Sequence, residues 1–339
     1  MWQVIGQARA VSMLKNSIDS GRLSHAYLFV GPQHVGKMTL ALNLAQALNC
    51  EADDKPCLAC DSCKKIAAGN HSDVQIIGLM QDEEENEAKL IHTDQIKDVL
   101  HAASLPPFEG NQKVFIIDGA ELLSMEAANR LLKTLEEPEA KVTFILLSTN
   151  ENRLLKTIVS RCQRIELKPM PLAEEEKALV EQTTVKPEQA SLLAALSHGC
   201  IGWAITAAGD EKILVQSRET LDQIISTVKG DYEDRFAYVA RLAAGFSQNR
   251  RAVYDTLDRW VDYWRDLMLV KLDCPDMITN IDRKEEIIKM AGNYSLNRIR
   301  NYIKSIESAA IQLKQNVNAR LALEVLMLDL PREEAISPR

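Results

Sequence analysis

Four cysteines crowd the stretch CEADDKPCLACDSC as Cys50, Cys57, Cys60 and Cys63, the last three forming two consecutive C-x-x-C steps. Thiolates at this spacing suit a tetrahedral zinc ion with no open coordination position, so the expected role is structural. A redox C-x-x-C would stand alone near a helix start. Cys162, Cys200 and Cys274 have no mutual spacing that would build a second site, and they read as ordinary thiols.

A second chemical centre is expected in FVGPQHVGKMTLALNLAQ, residues 29–46. Gly31 and Gly36, set between an apolar strand and a helix, let backbone N–H groups curl around phosphates, and the helix N-terminus favours the negative charge. Lys37 would reach the outer phosphates of ATP or ADP. The pattern then calls for Ser or Thr, whose hydroxyl binds Mg²⁺; Met38 has no oxygen, so Mg²⁺ binding is disfavoured. Thr39 is the next hydroxyl, but one helical step turns a side chain by roughly 100°. An acid at the end of a neighbouring strand is the second expected metal partner, and Asp118 in VFIID fits. Gly119 follows it and offers no side chain to polarise a water. Two defects fall on two separate jobs, and each lost ~1.36 kcal/mol of transition-state stabilisation is tenfold in rate. Negligible turnover is expected, against the competing reading of a weak ATPase that borrows Thr39 and a carboxylate such as Glu121.

The elements that must position these groups are legible as an alternation. HAYLFVG (25–31), KVFIID (113–118) and KVTFILLST (141–149) are continuous apolar runs, as expected of strands buried on both faces of a parallel sheet. Leu40, Leu44 and Leu48 repeat at four-residue steps in the helix after the glycine loop. In SMEAANRLLKTLEEP, Met125, Ala128, Leu132 and Leu135 form one apolar face, Ser124 is the candidate N-cap and Pro138 the stop. The fold class is therefore α/β, a doubly wound phosphate-loop domain with the cysteine module inserted. It spans residues 1–167. Past the prolines of KPMPL the strand signals cease: 168–208 reads as a small helical domain, and 209–339 as an all-α bundle closing with Leu321, Val325 and Leu328 aligned. In RWVDYWRDLML the residues Trp260, Tyr263, Trp264 and Leu267 read as core, with interface anchors the alternative.

Composition narrows the function. The 339 residues, 46% apolar and 26% charged, make an ordinary globular chain of two or three domains. No run of about 18 apolar residues would span a membrane. The N-terminus MWQVIGQARAVSML lacks the charged and apolar regions of a secretory signal, so the cytoplasm is expected and the seven cysteines are not read as disulfides. A net charge of -8 argues against a broad electrostatic grip on nucleic acid. The acidic run QDEEENEA (81–88) is most simply a solvated loop.

The phosphate loop, the inserted four-cysteine module, NRLLKTLEEP (129–138) and SRC (160–162), in this order, resemble the bacterial clamp-loader family of AAA+ proteins. The resemblance covers the first 170 or so residues closely, and NVNARLALEVLML is similar to the family's C-terminal helix. It implies an AAA+ domain, a helical lid and a C-terminal collar. It also implies a complex with gamma/tau motor and delta subunits of the DNA polymerase III holoenzyme, which loads a sliding clamp onto primer-template DNA. Within the family the motor keeps its metal-binding hydroxyl and an Asp-Glu pair, whereas a stator subunit commonly loses hydrolytic residues and keeps SRC. Met38 and Gly119 therefore favour the stator, with the motor subunit and a stand-alone zinc-containing DNA-binding protein as the alternatives. By the same resemblance Arg161 would be an arginine finger entering a neighbour's ATP site; from SRC alone, a surface arginine at a helix end is the simpler reading. Val4 and Ile5 in VIGQ would lie by an adenine pocket or in the core, and Trp203 stands about where active relatives place a phosphate-sensing arginine.

Overall fold

The three continuous apolar runs become neighbouring strands. In the computed structural model, which describes residues 1–79, 90–315 and 317–332, one parallel sheet contains β1 (Ala26–Val30), β2 (Val74–Ile77), β3 (Lys113–Asp118), β4 (Val142–Ser148) and β5 (Gln163–Glu166). Their order is β2-β3-β4-β1-β5. The acidic run 81–88 lies outside the described residues. Because successive side chains point to opposite faces, β3 sends Val114 and Ile116 to one core with Tyr27, Phe29, Ile145 and Leu147. It sends Phe115 and Ile117 to another core with Leu28, Phe144 and Leu146. Helices Ala8–Asp19 and Lys37–Asn49 cover the first face through Leu14, Leu40 and Leu44. Helices Thr93–Ala103 and Met125–Glu136 cover the second through Ile96, Val99, Leu131 and Leu135.

Helix Met125–Glu136 starts as expected, with the Ser124 side chain accepting the Ala127 N–H at 3.2 Å. Its buried stripe is different. Ala128 and Leu135 belong to it, but Ala127 and Leu131 replace Leu132, which is half-buried, and Met125, which is 65% exposed. Since all strands run parallel, the carboxyl ends of β1, β3 and β4 share one edge, where ligands of such sheets are held.

The chain divides into two units, Met1–Ala178 with Gly199–Trp203, and Leu179–His198 with Ala204–Arg339. The described residues of the second unit contain helices and no strand, among them Glu211–Lys229, Tyr232–Gln248, Arg250–Lys271, Lys284–Ala291, Leu296–Lys314 and Ala319–Leu328. Asp231 and Asn249 cap the second and third of these through backbone N–H groups. Trp260, Tyr263, Trp264 and Leu267 are all fully buried, so these four side chains belong to the core and anchor no outer surface. Trp264 meets Tyr302 with ring centroids 4.8 Å apart, and the Trp260 indole N–H donates to the Tyr238 hydroxyl at 3.0 Å. The last helix faces the other way from the expected alignment. Ala322, Leu323, Leu326 and Met327 are buried, while Leu321, Val325 and Leu328 form an outward apolar stripe. Among the described residues no helix is long and apolar enough to cross a membrane.

Candidate functional site

The loop after β1 is shaped by contacts that only glycine permits. A Cβ on Gly31 would stand 2.5 Å from the Leu167 carbonyl oxygen, and Gly36 adopts φ +103. The loop is also held from outside: the Gly202 N–H donates to the His34 carbonyl at 2.9 Å, and a Cβ at Gly202 would lie 2.6 Å from that oxygen. Gln3 and Val4 donate their N–H groups to Asn43 Oδ1 at 2.6 and 3.3 Å, which brings half-buried Val4 against Gly36. Ile5 and Trp203 are likewise half-buried.

Lys37 opens the helix with its ammonium turned onto the loop, donating to the Gly31 and Pro32 carbonyls at 2.7 and 2.6 Å. Burial lowers its pKa, opposed by the carboxylates of Glu121 and Asp118 and by Cys200. Met38 packs against the core that holds Leu40 and Leu44, so the position lacking an oxygen is an apolar contact. Thr39 is exposed on the helix surface.

Across the carboxyl edge, Asp118 ends β3 and its carboxyl is raised, first by burial, with Lys37 opposing and Glu121 reinforcing the shift. Gly119 follows in the left-handed region at φ 74 and ψ 48, starting the 3₁₀ turn Ala120–Leu122. Glu121 is tied down: its Oε1 accepts the Thr149 N–H at 3.0 Å and the Thr149 hydroxyl at 2.5 Å. Burial pushes its carboxyl up, but these bonds outweigh it and the pKa lies below the ordinary value. Its Oε2 is buried without a hydrogen-bond partner. The site thus gathers one ammonium and two carboxylates, with Glu121 tied to Thr149 by two hydrogen bonds.

The cysteine quartet assembles as the spacing predicts. Its Sγ atoms all lie within 4.8 Å of one another, close to the roughly 3.8 Å edge of a tetrahedron of metal–sulfur bonds about 2.3 Å long. Backbone N–H groups already point at the sulfurs, from Cys57 to Cys50 Sγ at 3.4 Å and from Cys60 to Cys57 Sγ at 3.3 Å. Donors from Ala59 and Cys60 hold the Cys57 thiol down to about 6, whereas burial pushes Cys63 up to about 12. Gln46 donates to the Cys63 carbonyl at 3.0 Å, fastening the module to helix Lys37–Asn49. This donor set fits a metal ion held by four sulfurs.

Arg161 follows the short helix Lys156–Val159, far along the chain from both clusters. One guanidinium nitrogen, Nη1, donates to the Thr157 carbonyl at 3.0 Å; the other, Nη2, pairs with Glu136 Oε1 at 2.6 Å. Both side chains remain partly open, 33% for Arg161 and 51% for Glu136. Glu136 lies in NRLLKTLEEP (129–138), but its pairing is a tertiary contact that sequence spacing does not reveal.

Two family models match the chain: one described as DNA polymerase III, delta subunit, over residues 6–171, and one as its C-terminal part over residues 234–332. The chain is 30% identical over 325 residues to DNA polymerase III subunit delta' of Bacillus subtilis, covering 96% of each. It is also 29% identical over 344 residues to the tau/gamma subunit of Haemophilus influenzae and 33% identical over 238 residues to the tau subunit of Escherichia coli. The match takes in 96% of this chain but 48% of the first of these, and 68% of this chain but 36% of the second. Among solved structures, a DNA polymerase III gamma subunit-related protein from Thermotoga maritima matches 95% of this chain and 98% of its own, at 16% identity and a TM-score of 0.49.

Proposed function

The chain belongs to the clamp-loader family of DNA polymerase III and has a clamp-loader role, and from that premise we propose that it is the stator subunit, which completes a neighbour's ATP site without hydrolysing ATP itself. The observation that carries this reading is the contrast between two centres. Apolar Met38 and left-handed Gly119 stand where hydrolysis needs an oxygen and an acid, while Arg161 keeps a charged fork at a partly open surface. An arginine finger requires that fork, and such fingers are worth about 10³ to 10⁵ in rate.

In this reading Gly31, Gly36 and Lys37 retain a phosphate cradle for ATP or ADP, Asp118 and Thr39 are remnants of the metal site, and Mg²⁺ has no firm ligand set. Cys50, Cys57, Cys60 and Cys63 hold a structural Zn²⁺. The partners are gamma/tau and delta subunits, and through them the sliding clamp and primed DNA; the compartment is the cytoplasm. Residues 168–208 serve as the lid and 209–339 as the collar, whose outward stripe of Leu321, Val325 and Leu328 supplies apolar contact area.

Mixing the purified chain with candidate motor and delta subunits and weighing the product tests assembly. A defined hetero-oligomer is expected. Steady-state phosphate release from the isolated chain tests the division of labour, and robust turnover abolished by Lys37→Ala would sink it in favour of a motor subunit.

A further inference from the structure

The helical unit contains a concentration of positive charge that the clamp-loader reading does not use. A cavity of ≈ 820 Å³ is lined by Lys229, Arg235, Lys289 and Arg332 together with Glu285 and Glu286. Four cations against two carboxylates is a local excess of positive charge in a chain whose net charge is -8.

Arg235 is the unusual member. It is only 9% exposed, yet among the described residues no carboxylate pairs with it. Its Nη2 donates to the Val228 carbonyl at 3.1 Å, which caps the last turn of Glu211–Lys229, and its Nε has no acceptor. That one bond uses a single donor of the five that a guanidinium carries. The group also shares the Tyr232 ring with a second guanidinium: Arg235 lies 5.8 Å and Arg332 5.5 Å from the ring centroid. Two like charges on one ring, one of them buried, are tolerable where an anion can reach both. On the rim, Lys229 is paired with Glu286 at 2.9 Å, while Lys289 makes no ion pair among the described residues.

We propose that this cavity binds a phosphate group, with Arg235 at its floor and Lys289 and Arg332 closing on the phosphate oxygens. The excess of two positive charges matches a phosphate monoester, which carries about -1.5 to -2 at neutral pH, better than a single carboxylate. Guanidinium forks fit phosphate oxygens in bidentate fashion. The volume falls within the range of small-molecule sites, about 300–1,000 Å³, so the phosphate can be free or the terminal group of a nucleotide.

The test uses the full chain carrying Lys37→Ala, so that the phosphate loop does not contribute, titrated calorimetrically with inorganic phosphate and separately with ATP at constant ionic strength. Saturable binding of at least one is expected. It should weaken at least tenfold in the added double variant Lys289→Ala/Arg332→Ala, whose side chains lie on the rim and whose fold is checked by circular dichroism. Arg235→Lys, which keeps the charge and removes the fork, is expected to weaken it as well. Equal affinities identify free phosphate as the ligand and tighter ATP identifies a nucleotide; either outcome supports the site. Absence of saturable binding by both ligands overturns the proposal, as does binding that the rim variants leave unchanged. Capture of a polyglutamate peptide with no binding of phosphate or ATP overturns it too, in favour of an acidic-peptide site.

Discussion

Gly119→Glu combined with Met38→Thr puts back both the acid and the hydroxyl, yet the backbone at 119 opposes the repair. Residue 119 stands at φ 74 and ψ 48, where an L side chain costs about 1–2 kcal/mol. A Cβ there would lie 3.1 Å from Leu122 Cδ1, tight but against the end of a side chain that can yield. Replacing glycine returns about 0.4–1 kcal/mol through the unfolded state, so Gly119→Glu is expected to destabilise by about 1 kcal/mol. For a unit of this size that is about 2–4 °C in Tm, measurable by scanning calorimetry. Relief by leaving the left-handed region would disturb the turn closed by Leu122 N–H on the Gly119 carbonyl at 2.7 Å, and with it Glu121 on Thr149. Either way the new carboxylate does not inherit the geometry of an Asp-Glu pair, and phosphate release by the double variant should stay at background. Gly119→Asn, which tolerates this conformation, should lose less stability. An unchanged or raised Tm for Gly119→Glu, or Lys37-dependent turnover in the double variant, would refute the reasoning.

Cys50→Ser, or prolonged chelation, should remove one bound metal ion per chain and raise hydrogen exchange across residues 50–70, because such sites supply up to about 10–16 kcal/mol of apparent binding energy; an unchanged exchange pattern would contradict a structural site. In a reconstituted complex, Arg161→Ala should lower DNA-stimulated ATPase by about 10³ or more. Glu136→Ala, which frees the guanidinium held at 2.6 Å, should give a smaller loss that Glu136→Asp partly restores. Asp73 gives a pH signature. Burial raises its carboxyl, but N–H groups of Phe108, Gly110 and Glu109 outweigh this and hold the folded pKa below the ordinary value. Its stabilisation is therefore complete above the unfolded value near ~3.9 and is lost as the pH falls through the folded one. The stability gap between wild type and Asp73→Asn should be flat above about pH 5 and shrink below pH 4 in urea titrations.

What was legible in the sequence was whatever burial writes into composition. β1, β3 and β4 lie inside the sheet with both faces covered, so each is a continuous apolar run. β2 (VQII) and β5 (QRIE) are edge strands with exposed positions, short and partly polar, and they left no comparable signal. The last helix shows the limit of periodicity. ARLALEVLML has apolar residues on more than one face, and the pattern alone does not say that Leu323 and Leu326 turn inward while Leu321 and Val325 turn out. Among the site groups, the cysteine spacing and the glycine loop are local and were readable. The left-handed backbone at Gly119, the tie of Glu121 to Thr149, the Glu136 partner of Arg161 and the cavity around Arg235 all depend on residues brought together by the fold.

The strand order also has a consequence for synthesis. β1 is made early, yet its sheet neighbours come much later in the chain: Ala26 pairs with Phe144, and Tyr27 with Gln163. At about 5–20 residues per second, the ribosome needs roughly 7–30 s after making AYLFV before β5 exists to cover it. Until β4 arrives an apolar strand with two free edges is exposed on the nascent chain, and one edge stays free until β5 follows; long-range parallel pairing of this kind is slow to form. Before then only local contacts are open to the growing chain, among them Leu14 on Leu40 and Leu44 and the cysteine module on helix Lys37–Asn49, and the sheet closes only after β4 and β5 arrive.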